Sequence, residues 1–197
     1  MAHNFIIRKR VEFSETDMAG IVHYSNFFRY MESAEHAFFR SLGLSIAPGG
    51  PDPIGWPRVH ADCDFRKPLR FEDTVEVELL VREKRERSLV YTFIFRKVSG
   101  EQTHEVARGS VAVACIRKDP ATGVMSSIPI PAEIAALIDQ ANLGARHRDT
   151  DAARLAPSHQ GVEADHRRAF GEAVALQQGD AEAVVQATHG LLGHLRC

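Results

Sequence analysis

At 197 residues, 44% of them hydrophobic, the chain is long enough for one globular domain with a real core and an appendage. A net charge of −2 and a pI near 6.5 argue against a global attraction to nucleic acid or to anionic membranes, although a local basic patch can still bind a phosphorylated ligand. The cysteines at 63, 115 and 197 are far apart and form no CxxC pair, so neither a disulfide framework nor a zinc site is expected.

The N-terminal stretch MAHNFIIRKRVEF lacks the apolar run of a signal peptide. No window reaches the roughly 18 consecutive apolar residues of a membrane-spanning helix. A reducing, cytoplasmic setting without membrane insertion is expected.

Residues 4–13 read as a first strand, with Phe5, Ile7, Val11 and Phe13 among basic residues. A polar loop, SETDMAGIVH, leads into a helix expected from about Ser25 to Leu42. There Phe27, Met31, Ala34, Phe38 and Leu42 recur at three- and four-residue steps, and Gly43 is a natural stop. Glu35 and His36 are placed on its polar face. Residues 45–57, rich in Gly and Pro, read as a loop.

Four strands are then expected, running as a meander. They are Val59 to Phe65, Val75 to Val81, Val90 to Val98 and Val106 to Arg117. The charged stretch Arg82 to Ser88 holds a turn or bulge. A short helix, Glu133 to Leu143, follows Pro129 and Pro131. Cys63 and Cys115 fall in strand-like runs and read as small buried hydrophobes.

Composition changes near residue 144. Fourteen of the 15 aromatics precede it, leaving only Phe170 beyond, whereas half of the ten histidines lie after it. The division expected is a domain at 1–144 and an appendage at 145–197. The tail would hold two helices, about Gln160 to Gln178 and Asp180 to Leu195, or be poorly ordered. Its histidines are spaced too irregularly for a metal site.

One apolar helix among strands must be buried on most sides. The fold class is therefore α+β, an antiparallel sheet wrapped around a long central helix. The open sheet edge invites pairing with another subunit, so a homodimer or homotetramer is expected.

The chemistry concentrates in Thr16-Asp17-Met18-Ala19-Gly20-Ile21-Val22-His23-Tyr24-Ser25-Asn26-Phe27. Asp17 stands in a loop just ahead of the helix, whose N-terminus offers unpaired N–H groups and partial positive charge. Those donors can polarise a carbonyl and hold its oxyanion. Gly20 relieves steric limits where the loop turns. On its own, Asp17 would be an ordinary loop carboxylate bonding its own backbone.

This segment resembles the 4-hydroxybenzoyl-CoA thioesterase family, including the short-chain acyl-CoA thioesterases associated with the Tol–Pal system. That family's motif is T-D-x-x-G-x-V-x-Y-x-x-Y, here with Phe27 as the final aromatic. The resemblance spans about residues 5–140 and implies a hotdog fold. It also implies hydrolysis of an acyl-CoA thioester without metal or cofactor. Asp17 is then the nucleophile or the general base, and Tyr24 N–H is the main oxyanion donor. His23 lines the entrance or acts as a base. Glu32 contacts the substrate's distal group, or faces solvent or a partner subunit.

Arg85, Arg87 and Ser88 match the family's CoA-phosphate contacts, although interleaved glutamates also suit a solvated turn. Trp56 lines the acyl pocket or covers the helix end. Alternatives are a hotdog dehydratase of 3-hydroxyacyl thioesters and a non-catalytic acyl-CoA-binding module. A tail that docks a partner is compatible with the enzyme.

Overall fold

The computed structural model describes residues 2–48, 50 and 54–141, all within one unit, Met1–Gly144. The appendage expected at 145–197, with its two helices, lies outside the described residues. The strands are β1 (Asn4–Arg10), β2 (Ile54–Gly55), β3 (Arg58–Phe65), β4 (Thr74–Lys84), β5 (Ser88–Ser99), β6 (Gln102–Ala114), β7 (Ile116–Lys118) and β8 (Met125–Ser127). The helices are α1 (Ser25–Ser41) and α2 (Ala132–Ala135).

The α1 stripe at Phe27, Met31, Ala34 and Phe38 is buried as its spacing requires. It faces Val75, Val77, Leu79 and Val81 of β4, and Tyr91, Phe93 and Phe95 of β5, all fully buried. Each such side chain contributes about 1.5–3 kcal/mol on leaving water. Gly109 of β6 lets the helix approach, because a Cβ there would stand 2.7 Å from Met31 Sδ. At the far end of α1, Gly43 adopts φ +74° and donates to Arg40 O, while Leu44 N–H reaches Phe39 O. This pair of bonds closes the last turn.

Five strands form one antiparallel sheet in the order β1-β4-β5-β6-β3. The meander expected after the helix is present in β4-β5-β6, but β3 joins it on the far side, beside β6. The near edge of β4 is already taken by β1, which pairs Ile7 with Val77 and Phe5 with Leu79. The remaining edge leaves β3 mostly exposed, and Cys63 is half-buried, not fully buried.

Other boundaries differ for local reasons. The first strand ends at Arg10 instead of 13, because Val11 N–H bonds Asp73 O and the chain enters a 3-10 turn at Phe13–Glu15. The strand expected to reach Arg117 breaks at Cys115, whose N–H goes to Arg87 O. Beyond the break, β7 pairs with both β2 and β8 in a small second sheet, so the expected 45–57 loop contains a short strand. The last helix is only four residues long. Lys84 Nζ donates to the carbonyls of Ala135 and Ile138, and Ala141 N–H bonds Val81 O, so beyond α2 the described residues run along the sheet instead of continuing the helix.

Candidate active site

The loop before α1 is a small hairpin. Thr16 and Val22 form an antiparallel bridge, Asp17 N–H donates to Ile21 O, and Gly20 N–H to Asp17 O. Gly20 closes the turn at φ +70°, a conformation that side chains disfavour. Asp17 is exposed. Its Oδ1 accepts Ala19 N–H at 2.8 Å, and its Oδ2 takes no hydrogen bond among the described residues.

The helix begins just beyond. Tyr24 caps it with its backbone alone, at φ −51° and ψ −35°. His23 N–H donates to Glu15 O, Asn26 N–H to His23 O, and Ser25 N–H leans on His23 Nδ1 at 3.4 Å. Tyr24 N–H donates to nothing among the described residues. Its ring is exposed, with its centroid 4.4 Å from that of the His23 ring. His23 Nδ1 is 2.8 Å from Ser25 Oγ.

An open pocket of about 770 Å³ lies here. Asp17, Gly20 and His23 line it together with Met18, Asn26 and Arg29. The chemistry available is a bare carboxylate oxygen beside a helix N-terminus with a spare N–H donor. Among the described residues no cluster of three or more His, Cys, Asp or Glu side chains can hold a metal. Nor is any described helix long and apolar enough to cross a membrane.

The profile of the thioesterase superfamily matches residues 19–104. A relative from Aquifex aeolicus (strain VF5), provisionally named an esterase, is 34% identical over 125 residues, 64% of this chain and 91% of that one. The chain belongs to the thioesterase superfamily. A 1,4-dihydroxy-2-naphthoyl-CoA hydrolase of Prochlorococcus marinus (strain NATL2A) is 31% identical over 104 residues, 49% of this chain and 66% of that one. The solved 4-hydroxybenzoyl-CoA thioesterase of Pseudomonas sp. strain CBS-3 matches with a TM-score of 0.60 and 25% identity, covering 69% of this chain and 99% of that one. The fold is therefore the hotdog fold.

The remaining expected site residues lie elsewhere in this thioesterase-superfamily chain. Trp56 is buried against Phe39, 5.5 Å between ring centroids, at the C-terminal half of α1. It does not line the pocket that holds Asp17. Glu32 is partly exposed and reaches Arg58 at 3.5 Å and His36 at 4.0 Å. Arg85, Arg87 and Ser88 sit in the β4–β5 hairpin, where Arg85 N–H donates to Ser88 O. There Arg85 pairs with Glu83 at 2.6 Å, and Arg87 donates to Ser127 O. The Asp17 loop is tied to the segment just before the other end of β4, through Val22 N–H to Leu69 O and Arg70 to Gly20 O. The eleven residues of β4 separate the two ends by roughly 30 Å.

Glu35 corrects the reading of the helix. It is 1% exposed, not on the polar face. Its Oε2 is 2.6 Å from Arg58 Nη2, whereas Oε1 has no partner, like the buried Tyr91 hydroxyl. Burial pushes the Glu35 carboxyl up to about 7, Arg58 opposing and Glu32 adding to the shift. Periodicity carried that signal, since 31, 34, 35 and 38 share one stripe. Asn26 and Arg29, unexpected at the pocket, follow from the first turns of α1. The polar character of Asn26 within the motif, and of Arg29 two residues beyond it, was the available signal.

Proposed function

We propose that this chain hydrolyses an acyl-CoA thioester to the free acid and CoA. The observation that carries the reading is Asp17, with Oδ2 bare, lining one pocket with Ser25 and Asn26 at the start of α1; Tyr24, next to them in the chain, does not line it but has its N–H unspent. A thioester carbonyl seated on that N–H gains stabilisation as negative charge develops on its oxygen. Asp17 attacks the carbonyl carbon and expels the CoA thiolate, leaving an anhydride that water cleaves. Equally, it takes a proton from the water that attacks. Both routes load the same oxyanion and neither needs a metal or nucleotide. Gly20 permits the turn that presents Asp17, and His23 borders the entrance.

Glu32 stands one helical turn beyond the pocket-lining Arg29, whereas Trp56, Arg85, Arg87 and Ser88 lie too far along the molecule to serve this pocket within one chain. Their contribution to acyl or CoA binding would come from a second copy. A homodimer or homotetramer therefore belongs to the proposal. Strand β3, at the sheet edge, is the natural pairing surface. The unpaired thiols of Cys63 and Cys115 suit a reducing cytoplasm.

The test is thiol release from a panel of short, long and aromatic acyl-CoAs. Hydroxylated aromatic acyl groups lead it, because two of the relatives above are named for them. Turnover of at least one substrate is expected. Saturable binding without thiol release would favour the binding module instead. Loss of water from a 3-hydroxyacyl thioester with the thioester intact would favour the dehydratase.

A further inference from the structure

Glu15 does not line the pocket, yet it joins every element that builds it. Its Oε2 accepts Glu12 N–H and the Tyr30 hydroxyl, each at 2.8 Å, and its Oε1 pairs with Lys9 Nζ at 3.0 Å. Burial pushes its carboxyl up, but these bonds outweigh burial and hold it below the usual range. Lys9 also lies 5.2 Å over the Tyr30 ring. Glu15 is thereby fixed to β1 through Lys9, to the 3-10 turn through Glu12, and to α1 through Tyr30, which is 1% exposed.

The Glu15 carbonyl makes the second set of ties. It accepts His23 N–H at 2.9 Å and Asn26 Nδ2 at 2.8 Å. The first bond continues the hairpin ladder one step beyond the Thr16–Val22 bridge, so the base of the hairpin is pinned while its tip carries Asp17. The second clamps the first turn of α1 to the same carbonyl. With His23 N–H spent on Glu15 and Asn26 N–H on His23, Tyr24 is the residue between them whose N–H stays available.

We infer that Glu15, Asn26 and Tyr30 form a positioning network that sets the Asp17 carboxylate against Tyr24 N–H, acting on the chemical step and not on substrate binding. It rests on the catalytic reading of Asp17 and Tyr24 given above. Glu15 and Tyr30 stay outside the pocket, and Asn26, which lines it, has its side-chain amide spent on the Glu15 carbonyl, so the network works from behind the reacting pair. Its effect is geometric, and a displacement of about 1 Å at a reacting pair costs on the order of 10²-fold in rate.

The experiment compares wild type, Asp17→Asn, Asn26→Asp and Tyr30→Phe by steady-state thiol release, well below the melting temperature of each. Asn26→Asp replaces the amide donor with an acceptor facing the Glu15 carbonyl. It is expected to lower kcat roughly 10- to 100-fold with KM within about threefold. Tyr30→Phe deletes one oxygen from an intact core and is the variant safest for folding. Lys9 and Glu12 still hold the carboxylate, so a smaller drop in kcat, about three- to tenfold, is expected.

If Asp17→Asn is inactive while both network variants keep the wild-type kcat, the network is structural only and the inference fails alone. A change confined to KM would overturn it too. If Asp17→Asn is as active as wild type, the catalytic reading itself fails, whatever the network variants do.

Discussion

At the start of α1, Asp17 stands exposed on a hairpin tip, one oxygen held by Ala19 N–H and the other bare. Nearly three turns along, Glu35 is 1% exposed, bound to Arg58 and shifted by burial to about 7. Burial thus shifts a carboxyl that lies away from the pocket. A shifted pKa marks functional sites only in company with access and geometry, since structural ion pairs shift pKa values as well. Asp17 has the access and the neighbouring donor. Glu35 has a fixed partner and fastens the helix to the sheet edge.

The largest effect that sharpens this contrast is expected at Tyr24. Its φ of −51° suits proline, which has no N–H. Tyr24→Pro should lower kcat by roughly 10²- to 10³-fold, whereas Tyr24→Ala, which keeps the N–H, should stay within a few-fold of wild type. Comparable rates in the two variants would remove the backbone donor from the site.

Next comes the other end. Arg58→Met leaves Glu35 buried without its cation and should cost about 3 kcal/mol in urea unfolding at pH 8, with kcat little changed. The penalty should shrink at pH 5, where Glu35 is protonated. An equal penalty at both pH values would mean that the pair is not ionic in the fold.

A slightly smaller effect follows from Glu35 alone. Its folded pKa lies above its unfolded value, so protonation favours the native state. Its stabilising contribution is whole below about pH 4.5 and is lost as pH rises through about 7. The loss is roughly 3 kcal/mol across that window. Urea midpoints against pH should show this slope in wild type and a flatter one in Glu35→Gln. Parallel curves would contradict the assignment.

The smallest effect is expected at the β4–β5 hairpin. Arg85→Ala with Arg87→Ala should raise KM a few-fold at low salt and leave kcat alone, the increase fading as salt is added. An unchanged KM would confine these arginines to their pairs with Glu83 and Glu86.

Much of the fold is legible in the sequence. The helix showed in the spacing of Phe27, Met31, Ala34 and Phe38 and in the stop at Gly43, because periodicity reports local burial. The motif placed Asp17, Gly20 and Tyr24 together because all three lie within one loop and helix start. Long-range choices were not readable. That β3 pairs with β6 depends on β1 having taken the edge of β4, which no local pattern encodes. The resemblance ties the basic hairpin to the pocket, and the length of β4 separates the two within one chain; Trp56, read as lining the acyl pocket or covering the helix end, packs on Phe39 in the C-terminal half of α1. Glu35 was misplaced because its charge was weighed above its position on the stripe. Asn26 gives its side-chain amide to the backbone carbonyl of Glu15, a partner that residue type does not announce.

The most direct single measurement is kcat for thiol release by Asp17→Asn against wild type, at equal folded fraction and saturating acyl-CoA. A fall of about 10²-fold or more, with the melting temperature preserved, is expected from a carboxylate that acts on the thioester. Equal rates would contradict the assignment of Asp17 as the catalytic group.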